Sequence, residues 1–275
     1  MFVKNNNQVK AGVSNWLKDL INAGGTGGLN WHVHAAYSLQ RWQPTRELIA
    51  AFLADIQPPQ KNLLLIGCSA GWMLPTPWLA RFKRIDIYDI DPLVPLLFGV
   101  RHGRALKALG VQLHYDRQDA IAGLPSLLKQ HPDACVWFDN VLGQVSFRLG
   151  DEDIAERQLG QLKHLLGGRC WGSLHDMYSG PIDSDMPLPA YESVNWARMD
   201  EQPEENAKVR IQKQVLSHED AAQQLLARLN AKGVWHDHVT RTVFAPGIQT
   251  SMLPWAFKPH YWHWLQTGWV GPGRT

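Results

Sequence analysis

The chain has 275 residues, of which 45% are hydrophobic and 19% are charged, and its formal net charge is +2. This composition excludes an intrinsically disordered chain, and the length suffices for one large domain with additions. Lys and Arg form no long run, so the charge balance gives no reason to expect nucleic acid as a partner.

The cysteines and the first residues indicate the compartment. Cys68, Cys135 and Cys170 lie in apolar segments without metal-ligand spacing, which is typical of reduced thiols. The first residues lack the apolar core of a signal peptide, and no apolar run reaches the roughly 18 residues of a membrane span. We therefore expect a cytoplasmic protein that does not bind membranes.

Residues 1–60 are predicted to form an N-terminal helical cap. Apolar residues recur at helical spacing over 9–22 and over 44–56, which predicts two amphipathic helices. Between them lie the glycine-rich stretch 24–28 and a segment rich in aromatic residues and histidine, 31–42.

Residues 61–178 are predicted to form the core, because strand and helix patterns alternate there. Such alternation predicts βαβ units and a doubly wound, mostly parallel sheet, which is an α/β fold. The predicted strands are 62–66, 84–88, 111–115, 134–139 and 169–174, and the predicted helices are 93–109, 121–130 and 151–166. In a short helix near residue 77, Thr76 is the expected cap.

The remaining residues divide into an insertion and the completion of the core. Residues 179–216 are predicted to be an insertion or lid, since they carry many prolines and acids and no clean period. Residues 217–275 are predicted to contribute a helix up to Leu229, an antiparallel hairpin formed by 233–244 with 249–257, and an aromatic tail.

A glycine turn after the first predicted strand is the strongest sign of a ligand. The apolar residues 63–66 run directly into a turn bounded by Gly67 and Gly71. Glycines at the carboxyl end of a buried parallel strand allow backbone N–H groups to approach a nucleotide-like ligand. A nicotinamide fingerprint would place Trp72 at its third glycine, where close helix packing excludes an indole ring.

Acidic residues follow the next three strands. Asp89 ends the second strand, Asp119 follows the third and Asp139 ends the fourth. A carboxylate at the end of the second strand can accept hydrogen bonds from both ribose hydroxyls. Asp91, which precedes a proline, is interpreted as a helix-capping residue.

Together these motifs resemble class I S-adenosylmethionine-dependent methyltransferases. The matching segments lie within 62–257 and are Gly67-x-x-x-Gly71, Asp89-Ile90-Asp91-Pro92, Asp119-Ala120 and Phe138-Asp139-Asn140. The resemblance implies a Rossmann-like sheet of seven strands with the last strand antiparallel, and S-adenosylmethionine as cofactor.

The resemblance also implies roles for individual residues. The glycine turn would meet the methionine end of the cofactor, Asp89 the ribose and Asp119 the adenine amino group. Ser69 stands where the family usually has a third glycine, and Leu65 stands where it usually has an acid. The residues assigned to cofactor binding are Gly67, Cys68, Ser69, Gly71, Asp89, Ile90, Asp119, Ala120 and Asp139.

Three residues are candidates for catalysis. His175 and Asp176 follow the fifth predicted strand, where the imidazole would act as general base and a carboxylate would orient it. Asn140 follows the fourth strand, where family members often position the methyl-accepting atom.

Histidine pairs raise the question of a metal. The pairs are His32 with His34 and His236 with His238, each interpreted as lying on one side of a strand, and His260 with His263, interpreted as sharing a helical face. No third ligand at suitable spacing accompanies any pair, so no metal is expected. The aromatic cluster Trp255, Tyr261, Trp262, Trp264 and Trp269 is interpreted as core, with a substrate wall or a subunit contact as alternatives.

The expected activity is methyl transfer to an oxygen or nitrogen atom of a small molecule. An aminopropyl-transferase-like enzyme is one alternative, and it would need an acidic pocket for a polyamine. A non-catalytic partner protein with a vestigial S-adenosylmethionine site is the other, favoured by Leu65 and Ser69. The aromatic C-terminal segment also allows a homodimer.

Overall fold

The computed structural model describes residues 27–182, 233–245 and 247–273, and the backbone of 194–196. The helices predicted over 9–22 and up to Leu229, and most of the predicted insertion, lie outside these residues. In the part of the chain that is described, no helix has both the length and the apolar character needed to cross a bilayer.

One sheet of nine strands forms the centre of the described residues. Its strands are β1 Asn62–Ile66, β2 Arg84–Tyr88, β3 Gln112–Asp116, β4 Ala134–Asp139, β5 Trp171–Pro181, β6 Val194–Trp196, β7 His236–Asp237, β8 Thr250–Lys258 and β9 Tyr261–Val270. The order is β3-β2-β1-β4-β5-β9-β8-β6, with β7 beside β5. Strands β1 to β5 pair in parallel, whereas β9 is antiparallel to both β5 and β8.

The predicted fold class is therefore confirmed, including the antiparallel final strand. The strand number differs from the seven expected, because the short strands β6 and β7 add to the sheet. The hairpin prediction was wrong in its position: β8 and β9 form the hairpin, and residues 233–244 contribute only the two residues of β7. The fifth strand also continues well beyond residue 174.

The helices cover the sheet. They are α1 Gly28–Ser38, α2 Gln43–Asp55, α3 Thr76–Leu79, α4 Val94–Phe98, α5 Arg104–Ala108, α6 Leu124–Gln130, α7 Val145–Leu149 and α8 Glu152–Leu165. A π-helical turn, Gly99–Gly103, joins α4 to α5, and a 3-10 turn, Leu142–Gln144, precedes α7. Thr76 does not cap α3 as predicted: it is the first helical residue, and its hydroxyl bonds to the Nδ1 atom of His102 at 2.8 Å.

Strand β1 shows why its apolar sequence forms a central strand. Leu63 and Leu65 pack into the core on one face of the sheet, and Leu64 and Ile66 pack into the core on the other. All four side chains are buried, and burying each contributes about 1.5–3 kcal/mol. Burial on both faces therefore explains the continuous apolar run.

The helices α1 and α2 pack against the C-terminal hairpin. The Trp42 indole donates a hydrogen bond to the Phe257 carbonyl at 3.0 Å, and the Thr45 hydroxyl donates to the Pro254 carbonyl at 2.8 Å. In α1, the Gly28 N–H donates to Asp91 and the Trp31 indole donates to Ser69. These bonds place α1 beside the carboxyl edge of the sheet, where the predicted ligand-binding loops lie.

Candidate functional site

Two adjoining cavities open at the carboxyl edge of strands β1 to β4. A narrow cleft of about 90 Å³ lies between the loops after β1, β2 and β3, and a larger cavity of about 610 Å³ lies beside it. Gly67, Ser69, Asn140, Gln144 and Arg148 line both. Every residue assigned to cofactor binding lines one of the two, except Gly71. The residues predicted from the sequence therefore meet at this edge of the sheet.

The turn after β1 requires glycine at both of its ends. Gly67 has φ +70° and Gly71 has φ +64°, both in the left-handed region. A Cβ atom on Gly67 would lie 2.5 Å from the Cβ atom of Val141, and one on Gly71 would lie 2.8 Å from His102 Nε2. Backbone conformation and close contacts thus both exclude larger residues.

Replacing Gly67 by Ala is expected to lower the free energy of unfolding by about 2–3 kcal/mol. The left-handed conformation costs about 1–2 kcal/mol, and overpacking against Val141 adds at least about 1 kcal/mol. Gly110→Ala is a matched control, because Gly110 has φ +77° but a Cβ atom added to it would have no neighbour within 4 Å. Urea unfolding of both variants measures the difference. An equal decrease in the free energy of unfolding would show that Val141 moves aside without an energetic cost.

Ser69 fits the turn although it replaces a glycine. Its φ of +52° is left-handed, which costs about 1–2 kcal/mol in a residue with a Cβ atom. Two hydrogen bonds offset this cost: its N–H donates to Asp89 Oδ2 at 2.7 Å, and its Oγ atom accepts from Trp31 Nε1 at 2.9 Å. At about 0.5–1.5 kcal/mol each, these bonds balance the strain.

Asp89 lies on the β2 side of the glycine turn. Its carboxylate accepts hydrogen bonds from the N–H groups of Ser69 and Asp91, at 2.7 and 2.9 Å. Burial raises its pKa to about 6 against the effect of those two bonds. A carboxylate has about four lone-pair sites, so acceptor capacity is left toward the cleft that Asp89 lines.

Asp91 holds α1 over the glycine turn and does not line the larger cavity. The predicted helix-capping role was wrong, because Leu93 is the N-cap of α4 and no side chain caps that helix. Asp91 accepts instead from the Leu93 N–H within the preceding turn, and from the Gly28 N–H and His32 Nε2 at 2.7 and 2.9 Å. Trp72 Nε1 donates to His32 Nδ1 at 3.2 Å, which fixes the proton of the imidazole on Nε2. Despite burial, these bonds lower the pKa of Asp91.

The π-helical turn contacts the glycine turn through His102, and this contact was not predicted from the sequence. His102 Nε2 donates to the Gly71 carbonyl at 3.1 Å, while its Nδ1 accepts from Thr76. Burial lowers the His102 pKa to about 4, so the ring is neutral. The Arg101 guanidinium lies 4.2 Å from the ring centre of Trp72. A helical pattern in the sequence does not reveal the extra residue of a π turn.

Asp139 is the most unusual group of the site. Its side chain lines the larger cavity and is almost fully buried, and its Oδ1 atom has no hydrogen-bond partner among the described residues. Burial raises its pKa to about 7; the Trp137 indole acts against this rise and the nearby charge of Asp89 adds to it. A buried carboxylate oxygen without a partner is costly unless a ligand satisfies it. Asn140 lines both cavities, and its Oδ1 atom accepts from the Asp176 N–H at 3.1 Å; its part in positioning the methyl acceptor stays a prediction.

Asp119 lines the cleft, but its carboxylate is already engaged. It accepts from the N–H groups of Ile121 and Ala122, both at 3.2 Å, and forms an ion pair with Arg148. Burial opposes ionisation, yet these partners outweigh it and lower the Asp119 pKa. The carboxylate therefore stabilises the turn before α6 as well as bordering the cleft. Ile90 and Ala120 line the same cleft.

His175 does not reach either cavity, which corrects its assignment as general base. Its side chain is fully buried, its Nε2 donates to Gln266 Oε1 at 3.1 Å, and its Nδ1 accepts from the Ser173 hydroxyl at 2.9 Å. Burial lowers its pKa to about 4. Side chains alternate along β5, so His175 points away from the cavity that its neighbour Asp176 lines.

Asp176 meets two histidines that the sequence did not connect to it. Its Oδ1 atom accepts from His263 Nδ1 at 2.8 Å, and His238 lies in the same cluster. His263 lies on β9 and not on a helix, and His260 lies in the turn before it. His32 and His34 lie on helix α1, which corrects their assignment to a strand.

Aromatic side chains form much of the wall of the larger cavity. Of the predicted aromatic cluster, Trp255 and Tyr261 line the cavity, whereas Trp262, Trp264 and Trp269 pack in the core. The other aromatic lining residues are Trp31, Trp42, Trp72, Phe147 and Phe257. The cluster is thus divided between the core and the wall of the cavity.

No protein-family model and no curated protein matches this chain. Among solved structures, it is similar to magnesium protoporphyrin IX methyltransferase from Synechocystis PCC 6803 with bound SAH, at 15% identity, 94% coverage of each chain and a TM-score of 0.40. It is also similar to the cyclase SpnF, at 16% identity, 52% coverage of this chain, 47% of that chain and a TM-score of 0.31. A third similar structure is cofactor-bound Rv0187 from MTB, with 14% sequence identity, 100% coverage of both chains and a TM-score of 0.36. The chain spans about half the length of SpnF. At these scores the similarities carry no functional argument, and the fold assignment depends on the strand order.

Proposed function

We propose that the crevice binds S-adenosylmethionine and that the chain transfers the cofactor's methyl group to an oxygen or nitrogen atom of a small molecule. The observation that carries this proposal is the glycine turn between two carboxylates, one of which, Asp139, has a buried oxygen without a partner among the described residues. Both carboxylates have a raised pKa, so the site favours a cationic ligand.

Asp139 fits the amino group at the methionine end of the cofactor. The family's usual acid is replaced by Leu65, which is fully buried in the core and offers no polar atom. Asp139, on the neighbouring strand β4, lines the larger cavity beside Gly67 and Ser69 and supplies a carboxylate instead. Bound S-adenosylmethionine would supply a methyl group attached to a sulfonium sulfur. The sulfur is the group that an acceptor's lone pair would displace from the methyl carbon.

The narrow cleft fits the nucleoside. Asp89 has lone pairs left for the ribose hydroxyls, and the side chains of Ile90 and Ala120 present apolar surface to the base. Asp119 remains a candidate for the adenine amino group only if its oxygens are shared with Arg148, since the ion pair already occupies the carboxylate.

The larger cavity is proposed to hold the methyl acceptor. Its aromatic walls suit a flat molecule and exclude water, and the main task of the protein is to align acceptor and methyl donor. Arg148 and Lys258 line this cavity together with Asp139 and Asp176, so its charges are mixed and it is not the acidic pocket that a polyamine would need. The aminopropyl-transferase alternative is therefore disfavoured.

Calorimetric titration tests the proposal. S-adenosylhomocysteine and S-adenosylmethionine, added to the protein in EDTA at pH 8, are expected to bind one to one with a Kd of about 1 µM to 1 mM. The dinucleotide NAD is the control and is expected not to bind. A folded protein that binds neither S-adenosyl compound would contradict the proposal. Binding without transfer to any acceptor in a screen with methyl-labelled cofactor would favour the non-catalytic alternative.

Replacing His175 by Gln is expected to affect stability and not ligand binding. Losing the two hydrogen bonds of the buried imidazole should lower the free energy of unfolding by about 1–3 kcal/mol. The Kd for S-adenosylhomocysteine should stay within about twofold of wild type, because the ring faces away from both cavities. Urea unfolding and calorimetry measure the two effects. A large loss of affinity for S-adenosylhomocysteine at unchanged stability would contradict this prediction and show that His175 contributes to ligand binding.

A further inference from the structure

Two histidines and one aspartate converge on the larger cavity from different parts of the sheet. Asp176 lies on β5, His238 follows β7 and His263 lies on β9. One ring nitrogen of each histidine and one carboxylate oxygen lie within 4.8 Å of one another. We propose that this cluster binds a divalent transition-metal ion through two imidazoles and one carboxylate, with an open coordination position facing the cavity.

His238 is already oriented as a metal ligand. Its Nδ1 donates to the Gly143 carbonyl at 2.8 Å, which leaves the lone pair on Nε2. Metal-binding histidines typically donate their second ring N–H to a backbone carbonyl or carboxylate in this way. The Nε2 lone pair now accepts from the Ser179 hydroxyl at 3.0 Å, and this hydroxyl can instead donate to the Tyr261 hydroxyl, which lies 3.2 Å away.

His263 and Asp176 share the proton that a metal ion would replace. His263 Nδ1 donates to Asp176 Oδ1 at 2.8 Å, and its Nε2 has no hydrogen-bond partner within the described part of the chain. The ring therefore gives up only this one bond when Nδ1 binds a metal. Asp176 is the oxygen ligand of the set, because its buried side chain holds Oδ1 next to His263 Nδ1 and on the wall of the cavity.

The donor set and spacing favour a transition metal over Mg²⁺ or Ca²⁺. Imidazole suits Zn²⁺ and Fe²⁺, whereas Mg²⁺ and Ca²⁺ prefer oxygen ligands. Metal–ligand bonds of about 2.0–2.2 Å place neighbouring ligand atoms roughly 3.4 Å apart in a tetrahedral site. The separations here run from 2.8 Å up to 4.8 Å, so small side-chain rotations are sufficient.

The position of the cluster suggests what the ion does, and this role rests on the proposed function. All three ligands line the cavity assigned to the acceptor. An ion there would hold an acceptor hydroxyl and favour loss of its proton to water. The acceptor oxygen then forms a bond to the methyl carbon as the carbon–sulfur bond breaks. The electron pair of the broken bond stays on the sulfur, which becomes the neutral thioether of S-adenosylhomocysteine. This points to an oxygen acceptor.

Cobalt titration tests the metal site without reference to the cofactor. EDTA-treated protein, freed of chelator and without any S-adenosyl compound, is titrated with Co²⁺ while its visible absorption is recorded. Wild type is expected to bind one ion. His238→Gln, His263→Gln and Asp176→Asn should each bind more than about 100-fold more weakly, because losing even an outer-shell partner costs about 10–100-fold. His236→Gln is the matched control, since His236 stacks on Phe147 next to the cluster but is not part of it.

A folding readout keeps the test decisive where a buried variant is unstable. Zn²⁺ should raise the Tm of wild type and of His236→Gln, but not that of His263→Gln. A folded wild-type protein that binds neither Co²⁺ nor Zn²⁺ would overturn the proposal, as would equal loss of binding in His236→Gln. Because calorimetry with S-adenosylhomocysteine is performed in EDTA, failure of the metal site and failure of the proposed function are distinguished.

Discussion

Asp89→Ala is expected to weaken S-adenosylhomocysteine binding by about 100-fold. The carboxylate would accept hydrogen bonds from two ribose hydroxyls, each contributing about 1.5 kcal/mol, and each 1.4 kcal/mol is a factor of ten in affinity. The measurement is calorimetry at pH 8. Asp89→Asn, which keeps one acceptor oxygen for the Ser69 N–H, should lose about tenfold and so separates ribose contact from loop support.

Asp116→Ala is the matched control for Asp89→Ala. Asp116 ends the adjacent strand β3 at the register position opposite Tyr88, and its exposed side chain does not line the cleft. Its loss should leave the affinity unchanged. If Asp89→Ala bound as tightly as Asp116→Ala, the ribose assignment would be refuted.

Asp139→Asn is expected to make the protein more stable and less able to bind the cofactor. The pKa of Asp139 is about 7 in the folded chain against an ordinary value of 3.8. The folded state therefore holds the proton longer than the unfolded state, and the stability that this provides is lost as the pH rises from about 4 to about 7. Three pKa units correspond to at most about 4 kcal/mol, so the variant should gain up to that amount at pH 8 and nothing at pH 4.

The same substitution removes the carboxylate proposed for the cofactor's amino group. We expect a roughly 100-fold loss of affinity at pH 8, since a buried charge-assisted hydrogen bond contributes about 1.5–3 kcal/mol. Wild-type affinity should rise with pH up to about 7 as Asp89 and then Asp139 ionise, whereas the variant should keep only the part of the rise near pH 6 that belongs to Asp89. Urea unfolding and calorimetry across this pH range measure both effects. A variant that gains no stability at pH 8, or binds like wild type, would contradict the role of Asp139.

Much of the fold could be predicted because its strands are bounded by strong local signals. The strands 62–66, 84–88 and 134–139 have the bounds that the sequence indicated, since each is short and is followed directly by Gly, Asp or Asn. The predicted cofactor residues lie together for a topological reason: the carboxyl ends of parallel strands share one edge. Asp89 and Asp139 needed no information beyond this order.

The rest depended on information that one sequence does not contain. His175 and Asp176 are adjacent, and only the pairing of β5 decides which of them faces the cavity. His238 and His263 join Asp176 because β7 and β9 both pair with β5, a contact between strands far apart in the chain. The hydrogen bonds from Trp72 through His32 to Asp91 likewise depend on the packing of α1, which no residue spacing in the sequence indicates.

A crystal structure of the chain with S-adenosylhomocysteine tests the central claim most directly. The account predicts that the ribose hydroxyls lie within hydrogen-bond distance of the Asp89 carboxylate and that the amino group lies against Asp139 Oδ1, with the sulfur facing the larger cavity. Density for the nucleoside outside the cleft, or an amino group that leaves Asp139 without a partner, would contradict it.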